Sequence, residues 1–181
     1  MEDCEESLVR RLKAGDVEAY HQLIEYYGEK LLRLAYIIIG DYQLAEDTLQ
    51  ESYINIYRNI HRFSGKSTLL TWVTRITINN AKQALRKKRR KAWIAFHDGV
   101  KESSETPSIT YEIIKKEEIA KIREILMDLP LKYRETLYLY YYEEMKIKEI
   151  ATILDIGESG VKSRLQRGRN MLGERLRKEL D

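Results

Sequence analysis

The chain has 181 residues, enough for one ordinary domain or two small ones, and its 32 Lys/Arg against 29 Asp/Glu leave a net charge of only +3. No apolar run approaches the roughly eighteen residues of a membrane span, and the acidic start at Glu2 and Asp3 lacks the basic flank of a signal peptide, so a cytoplasmic protein is expected. Cys4 is the single cysteine, which excludes an internal disulfide, and His21, His61 and His97 show no ligand spacing, so neither a metal nor another cofactor is expected.

Glycine and proline are scarce, at nine and two residues, and apolar residues recur at helical spacing almost throughout, which predicts an all-α protein. The first helix is expected over about 5–14, with Gly15 and Asp16 as a stop and restart. A second runs from Val17 towards Gly40, with an interruption expected near Gly28. From 42 to about 62, Ala45, Leu49, Tyr53, Ile56 and Ile60 repeat every three or four residues, which turns this stripe inward and leaves Glu46, Asp47, Gln50 and Glu51 outside. Residues 63–68 read as a loop in which Ser67 or Thr68 is available to cap the next helix.

That next helix carries Leu69, Trp72, Val73 and Ile76 on one face and ends in six consecutive basic residues, Arg86 to Lys91. Arg75, Asn79, Lys82 and Arg86 follow each other at helical spacing and form a polar stripe suited to tracking a nucleic-acid strand. Trp72 belongs to the apolar face, which assigns it to the core rather than to base stacking. Residues 98–108 are polar, short of aliphatics and marked by Gly99 and Pro107, and 96–114 reads as a flexible linker. Helical periodicity returns over about 109–127 before Pro130 resets the chain. The expected architecture is therefore two small helical domains, 1–95 and 115–181, on either side of that linker.

The most distinct local pattern lies at 147–165. Ile150, Leu154, Ile156 and Val161 supply buried contacts, and Ala151 is small where a second helix crosses, as a helix-turn-helix requires. Asp155 stands at the turn, where a left-handed backbone is needed and Asp is tolerated. With Val161, Leu165, Gly168, Leu172 and Leu176 inward, the second helix presents Ser159, Lys162, Ser163, Gln166 and Arg167. Ser159, Lys162 and Ser163 suit base edges in a major groove, Gln166 suits adenine, and Arg164, Arg167 and Arg169 suit phosphates. Gly160 and Gly168 lower helix propensity and require a close approach to DNA or to a neighbouring helix.

Charge divides along the chain. Residues 1–55 carry 12 acidic and 5 basic side chains, whereas 56–181 carry 17 acidic and 27 basic ones. The rear suits a polyanion, and the acidic front suits a protein. A free-standing regulator would use the helix-turn-helix alone, as a dimer on a palindrome, and would have no use for an acidic Asp47, Gln50, Glu51 face. An enzyme would need a phosphate-binding glycine loop, a metal cluster or a nucleophile paired with a base. None stands out in the sequence, and no small-molecule substrate is expected.

Two motif sets carry a family resemblance. Leu129-Pro130-Leu131-Lys132-Tyr133-Arg134-Glu135, followed by Val161-Lys162-Ser163-Arg164-Leu165-Gln166-Arg167-Gly168-Arg169, resembles the fourth conserved region of bacterial sigma factors. Ala45-Glu46-Asp47-Thr48-Leu49-Gln50-Glu51, then Phe63-Ser64-Gly65-Lys66-Ser67 and Thr71-Trp72-Val73-Thr74-Arg75-Ile76, resembles the second region. The chain is thus similar to the short extracytoplasmic-function sigma factors of the sigma-70 family. The resemblance implies a non-catalytic subunit that binds core RNA polymerase at its β′ coiled coil and β flap, with Asp47, Gln50 and Glu51 docking on the coiled coil. It further implies that Ser64, Lys66, Ser67 and Thr68, with Arg75, Asn79, Lys82 and Arg86, open and read the minus-ten element. Ser159, Lys162, Ser163, Arg164, Gln166 and Arg167 would read the minus-thirty-five element. A cognate anti-sigma factor, in many relatives membrane-anchored, is implied as a further partner. The chain departs from the family at Leu69 and Leu70, where an aromatic is common.

Overall fold

The computed structural model describes the backbone of residues 2–97 and 125–180, and every element in it is helical. Helix α1 (Glu2–Lys13) ends in a corner where Gly15 takes a φ of 77°. The Asp16 carboxylate caps α2 (Val17–Ile39) by accepting from the amides of Glu18 and Ala19. Arg11 donates from Nε to the same carboxylate at 2.6 Å and holds its pKa below the ordinary value. Helix α2 is continuous, so the interruption expected at Gly28 does not occur. The glycine serves packing instead: a Cβ there would stand 2.9 Å from the hydroxyl of Tyr53, which reaches across from the next helix. Gly40 closes α2 at a φ of 75° and donates its amide to the Tyr36 carbonyl, a left-handed cap that favours glycine.

Asp41 accepts from the Leu44 amide and starts α3 (Tyr42–Asn59), which tightens into a 3₁₀ turn at Ile60–Arg62. Helix α4 (Leu69–His97) follows and runs two residues into the expected linker. The rest of that linker, and the side chain of Cys4, lie outside the described residues. Leu12, Leu23, Leu31, Ile56, Leu69 and Val73 are buried together at the centre of this front bundle. Each fully buried aliphatic contributes about 1.5–3 kcal/mol relative to exposure, so the inward stripes of α2, α3 and α4 hold the bundle. Polar groups buried between α3 and α4 satisfy one another. The Asn80 amide donates to Ser52 Oγ at 3.0 Å, Asn55 donates to Asn80 at 3.2 Å, and Ser52 donates to the Thr48 carbonyl at 2.7 Å.

The rear unit comprises α5 (Leu131–Leu137), its continuation through a π-helical turn at Tyr138–Tyr142, α6 (Ile147–Leu154) and α7 (Glu158–Leu180). Helices α6 and α7 form the expected helix-turn-helix, and Asp155 adopts the left-handed conformation its position predicted, at φ 56° and ψ 50°. Gly168 has the reason it required: a Cβ would lie 3.0 Å from Leu137 Cδ1 and 3.3 Å from Tyr133 Cβ, so α7 passes close against α5. Gly160 has no such crowding, since its nearest neighbour, Ile156, stands at 3.7 Å.

The two units are in contact. Ile37, Ile38, Ala81 and Leu85 of the front share one apolar cluster with Leu137, Leu139, Ile150 and Leu165 of the rear. Arg134, itself buried, spans the junction by donating to the Ile38 carbonyl at 3.0 Å and to the Met127 carbonyl.

Candidate polymerase and promoter contact surfaces

Helix α3 places Asp47, Gln50 and Glu51 on the exposed side of the front bundle, because Ala45, Thr48, Ser52 and Ile56 occupy its buried side. Among the described residues, none of the three enters an ion pair. An acidic acceptor face is thus held on a rigid element and left open for a basic partner. The same face carries two apolar residues that the motif reading missed, Ile54 at 50 % exposure and Tyr57 at 59 %. Their signal was in the sequence, since both fall off the inward stripe.

The loop leading into α4 is set by Phe63, buried with its ring 5.5 Å from Trp72, and by Gly65 at a φ of 71°. Trp72 therefore packs with the core, as expected. Thr68 is the side-chain cap, its Oγ1 accepting from the Thr71 amide at 3.2 Å, while Ser67 Oγ donates to the Thr68 carbonyl. Ser64, Lys66 and Thr68 are exposed, and Ser64, Ser67 and Thr68 line a cleft of ≈ 870 Å³ between the loop and α1. Leu69 is fully buried, so this position serves the core rather than a base-stacking surface.

Two residues of the stripe along α4, Arg75 and Lys82, meet the rear unit. Arg75 and Asn79 are exposed, Lys82 is half-buried and Arg86 donates to the Lys82 carbonyl at 3.2 Å. Arg75 stands 3.9 Å from Asp155 at the turn of the helix-turn-helix. Lys82 lies 2.9 Å from one carboxylate oxygen of Glu135 and hydrogen-bonds the other at 3.1 Å. On α7, Ser159, Lys162, Ser163, Gln166 and Arg167 are exposed together, as the inward positions Val161, Leu165 and Gly168 dictate. Arg164 differs from the expectation: it turns inward and places a guanidinium nitrogen 3.4 Å from Glu135.

Glu135 is the residue that pattern reasoning overlooked. Its side chain is 2 % exposed and holds one cation from each of the two expected DNA-contacting helices. A single charge in α5, flanked by Arg134 and Thr136, carries no signal of its destination until its partners arrive from α4 and α7.

Comparisons with known proteins agree with this architecture. Residues 23–91 match the family described as Sigma-70 region 2, and residues 119–172 match Sigma-70, region 4. The ECF RNA polymerase sigma factor SigW of Bacillus subtilis (strain 168) is 31% identical over 177 residues, covering 93% of this chain and 95% of that protein. The ECF RNA polymerase sigma-E factor of Escherichia coli (strain K12) is 30% identical, covering 93% of this chain and 92% of that protein. Two solved structures share the fold. CnrH in complex with the cytosolic domain of CnrY has a TM-score of 0.72 at 21% identity, covering 95% of this chain and 96% of that chain. The sigma factor RpoE in complex with the anti-sigma factor NepR, from Bartonella quintana, has a TM-score of 0.71 at 24% identity, covering 87% of this chain and 96% of that chain. With both regions present in order and relatives matched along nearly their whole length, the chain belongs to the sigma-70 family as an alternative sigma factor of the extracytoplasmic-function type, a non-catalytic transcription initiation factor.

Proposed function

We propose that this sigma factor works in the cytoplasm through one polymerase-docking face and two promoter-reading surfaces. Asp47, Gln50 and Glu51 dock on the β′ coiled coil of core RNA polymerase, with Ile54 adding apolar area beside them. The loop residues Ser64, Lys66, Ser67 and Thr68 and the α4 stripe of Arg75, Asn79, Lys82 and Arg86 take the opened strand of the minus-ten element. Helix α7 reads the minus-thirty-five element with Ser159, Lys162, Ser163 and Gln166 and holds phosphates with Arg164 and Arg167, while the β flap carries the rear domain. In this reading residues 1–95 and 115–181 are the working units, and 96–114 sets their separation on the promoter.

One observation carries the proposal. The acidic trio is exposed and enters no ion pair among the described residues, whereas Lys82 and Arg164 are both held by Glu135. The free protein is thereby ready for a basic protein surface while part of its DNA-binding charge is occupied, so polymerase docking comes before promoter reading. A cognate anti-sigma factor, membrane-anchored in our reading, keeps the protein inactive until its signal arrives. Support comes from the two solved neighbours, one held by the cytosolic domain of CnrY and the other by the anti-sigma factor NepR.

The test adds purified protein to bacterial core polymerase and a genomic promoter library and maps the start sites. The wild type directs specific initiation. D47K/E51K loses core binding with an unchanged circular dichroism spectrum, because two exposed acceptors become repulsive while the buried side of α3 is left as it was. Core binding undiminished in that variant removes the assignment of this face. A wild-type protein that binds no core enzyme yet shifts DNA as a dimer removes the whole reading.

A further inference from the structure

Helix α1 precedes every motif that identifies the family, yet it grips the loop Ser64–Thr68 from both ends. At the loop entrance, Lys13 Nζ donates to the Phe63 carbonyl at 2.8 Å. At its exit, Glu5 Oε1 accepts from the Leu69 amide at 2.9 Å, across sixty-four positions of sequence. The four leading amides of a helix have no partner within the helix. In α4 the Thr71 amide is taken by Thr68 Oγ1, and the Leu69 amide is taken by Glu5, whose negative charge also suits the positive end of a helix dipole. Buried Leu8 and Leu12 fix α1 to the bundle, so both contacts are made from a rigid support. Between the two grips, Glu6, Arg10 and the loop residues border the ≈ 870 Å³ cleft.

We infer that α1 is a brace for the strand-capturing loop, with Glu5 and Lys13 as positioning residues that hold Ser64, Ser67 and Thr68 in the conformation competent for the opened minus-ten strand. The inference rests on the proposed role of that loop. A tethered loop loses less freedom when it closes on a nucleotide, so the brace raises affinity for single-stranded DNA without touching it. Core binding and minus-thirty-five reading involve other faces and do not depend on it.

The experiment uses full-length protein bound to core polymerase on a promoter recovered from the library, together with a single-stranded oligonucleotide of its minus-ten element. E5A/K13A binds core polymerase and upstream duplex as the wild type does, but binds the oligonucleotide about tenfold more weakly, the scale set by losing charge-assisted hydrogen bonds. Promoter opening followed by 2-aminopurine fluorescence slows by a similar factor. E5Q, whose amide oxygen still accepts from Leu69, restores most of both, and E6A, lining the same cleft without gripping the loop, leaves both unchanged. If E5A/K13A does not fold, K13M, which keeps the apolar stem and loses the ammonium, gives the same readout with a partial loss. Oligonucleotide affinity and opening equal to wild type in the folded variants overturn the brace alone. A wild-type complex that opens its promoter but gains nothing from Ser64, Ser67 and Thr68, judged by their alanine substitutions, overturns the underlying role of the loop.

Discussion

Replacing Lys82 by Met would isolate what the buried carboxylate of Glu135 contributes. The ammonium lies 2.9 Å from Glu135, and the two side chains are 28 % and 2 % exposed. At an effective dielectric of about 20, the gross attraction at that separation is about 6 kcal/mol. Much of it only offsets the cost of removing both charges from water. Met restores the apolar stem of Lys82 and removes its desolvation cost, but Glu135 stays buried with Arg164 alone, at 3.4 Å. The expected loss is about 2–3 kcal/mol, below the range for a fully buried pair because Lys82 keeps some contact with water. The partners lie on different units, so the loss falls on their junction. Urea unfolding of K82M should start at lower denaturant, and small-angle scattering should show a larger radius of gyration before either unit melts. E135Q should likewise free Lys82 and Arg164 and give the isolated protein tighter, more salt-dependent duplex binding. In the double variant K82M/E135Q the losses should fail to add by at least about 1 kcal/mol, since the second change removes a charge already stranded. Additive losses, or a loss of less than about 0.5 kcal/mol in K82M, would refute the role assigned to this pair.

Other outcomes follow from individual residues. Lys88 donates to Asp41 at 2.7 Å and, with the Leu44 amide, holds the Asp41 pKa below its ordinary value of 3.8. A lowered carboxylate pKa lends stability that is complete above pH 3.8 and disappears as pH falls through the lowered value, so acid titration of D41A should show a flatter loss below that pH. Loss of the α3 cap should also cost D41A about 1 kcal/mol at neutral pH, measured by thermal unfolding. At Asp155, with its φ of 56°, glycine should match or exceed wild-type stability in urea, whereas D155A should lose about 1 kcal/mol. The exposed Arg75 pair adds little to that difference. Tyr53 Oη is buried with no hydrogen-bond partner among the described residues, and burial pushes its pKa up to about 12. Y53F should therefore be neutral or stabilising by about 1 kcal/mol. G28A should be tolerated in Y53F but destabilising in the wild type, where the new Cβ meets that hydroxyl at 2.9 Å; equal effects in both backgrounds would refute the steric account.

Features governed by neighbours three or four residues away were legible in the chain itself. The inward stripe of α3, the Thr68 cap, the left-handed turn at Asp155 and the outward set on α7 all depend on local spacing and backbone preference. The acidic face of α3 was legible for the same reason, since a helix that buries Ala45 and Ile56 must expose Asp47 and Glu51.

Contacts between distant segments decided the rest. Gly28 reads as a break by propensity, yet α2 continues through it, because the space it leaves is filled by Tyr53 from α3. Arg164 reads as a phosphate ligand, and only the position of α5 draws it to Glu135. Lys82 meets that same carboxylate from fifty-three positions away, and Glu5 caps α4 from sixty-four. Sequence alone determined which helices form, which faces they bury and that the chain carries both sigma regions. The tertiary structure decided which charges are free, because a side chain's partner across the fold depends on how whole helices pack, and no local spacing encodes it.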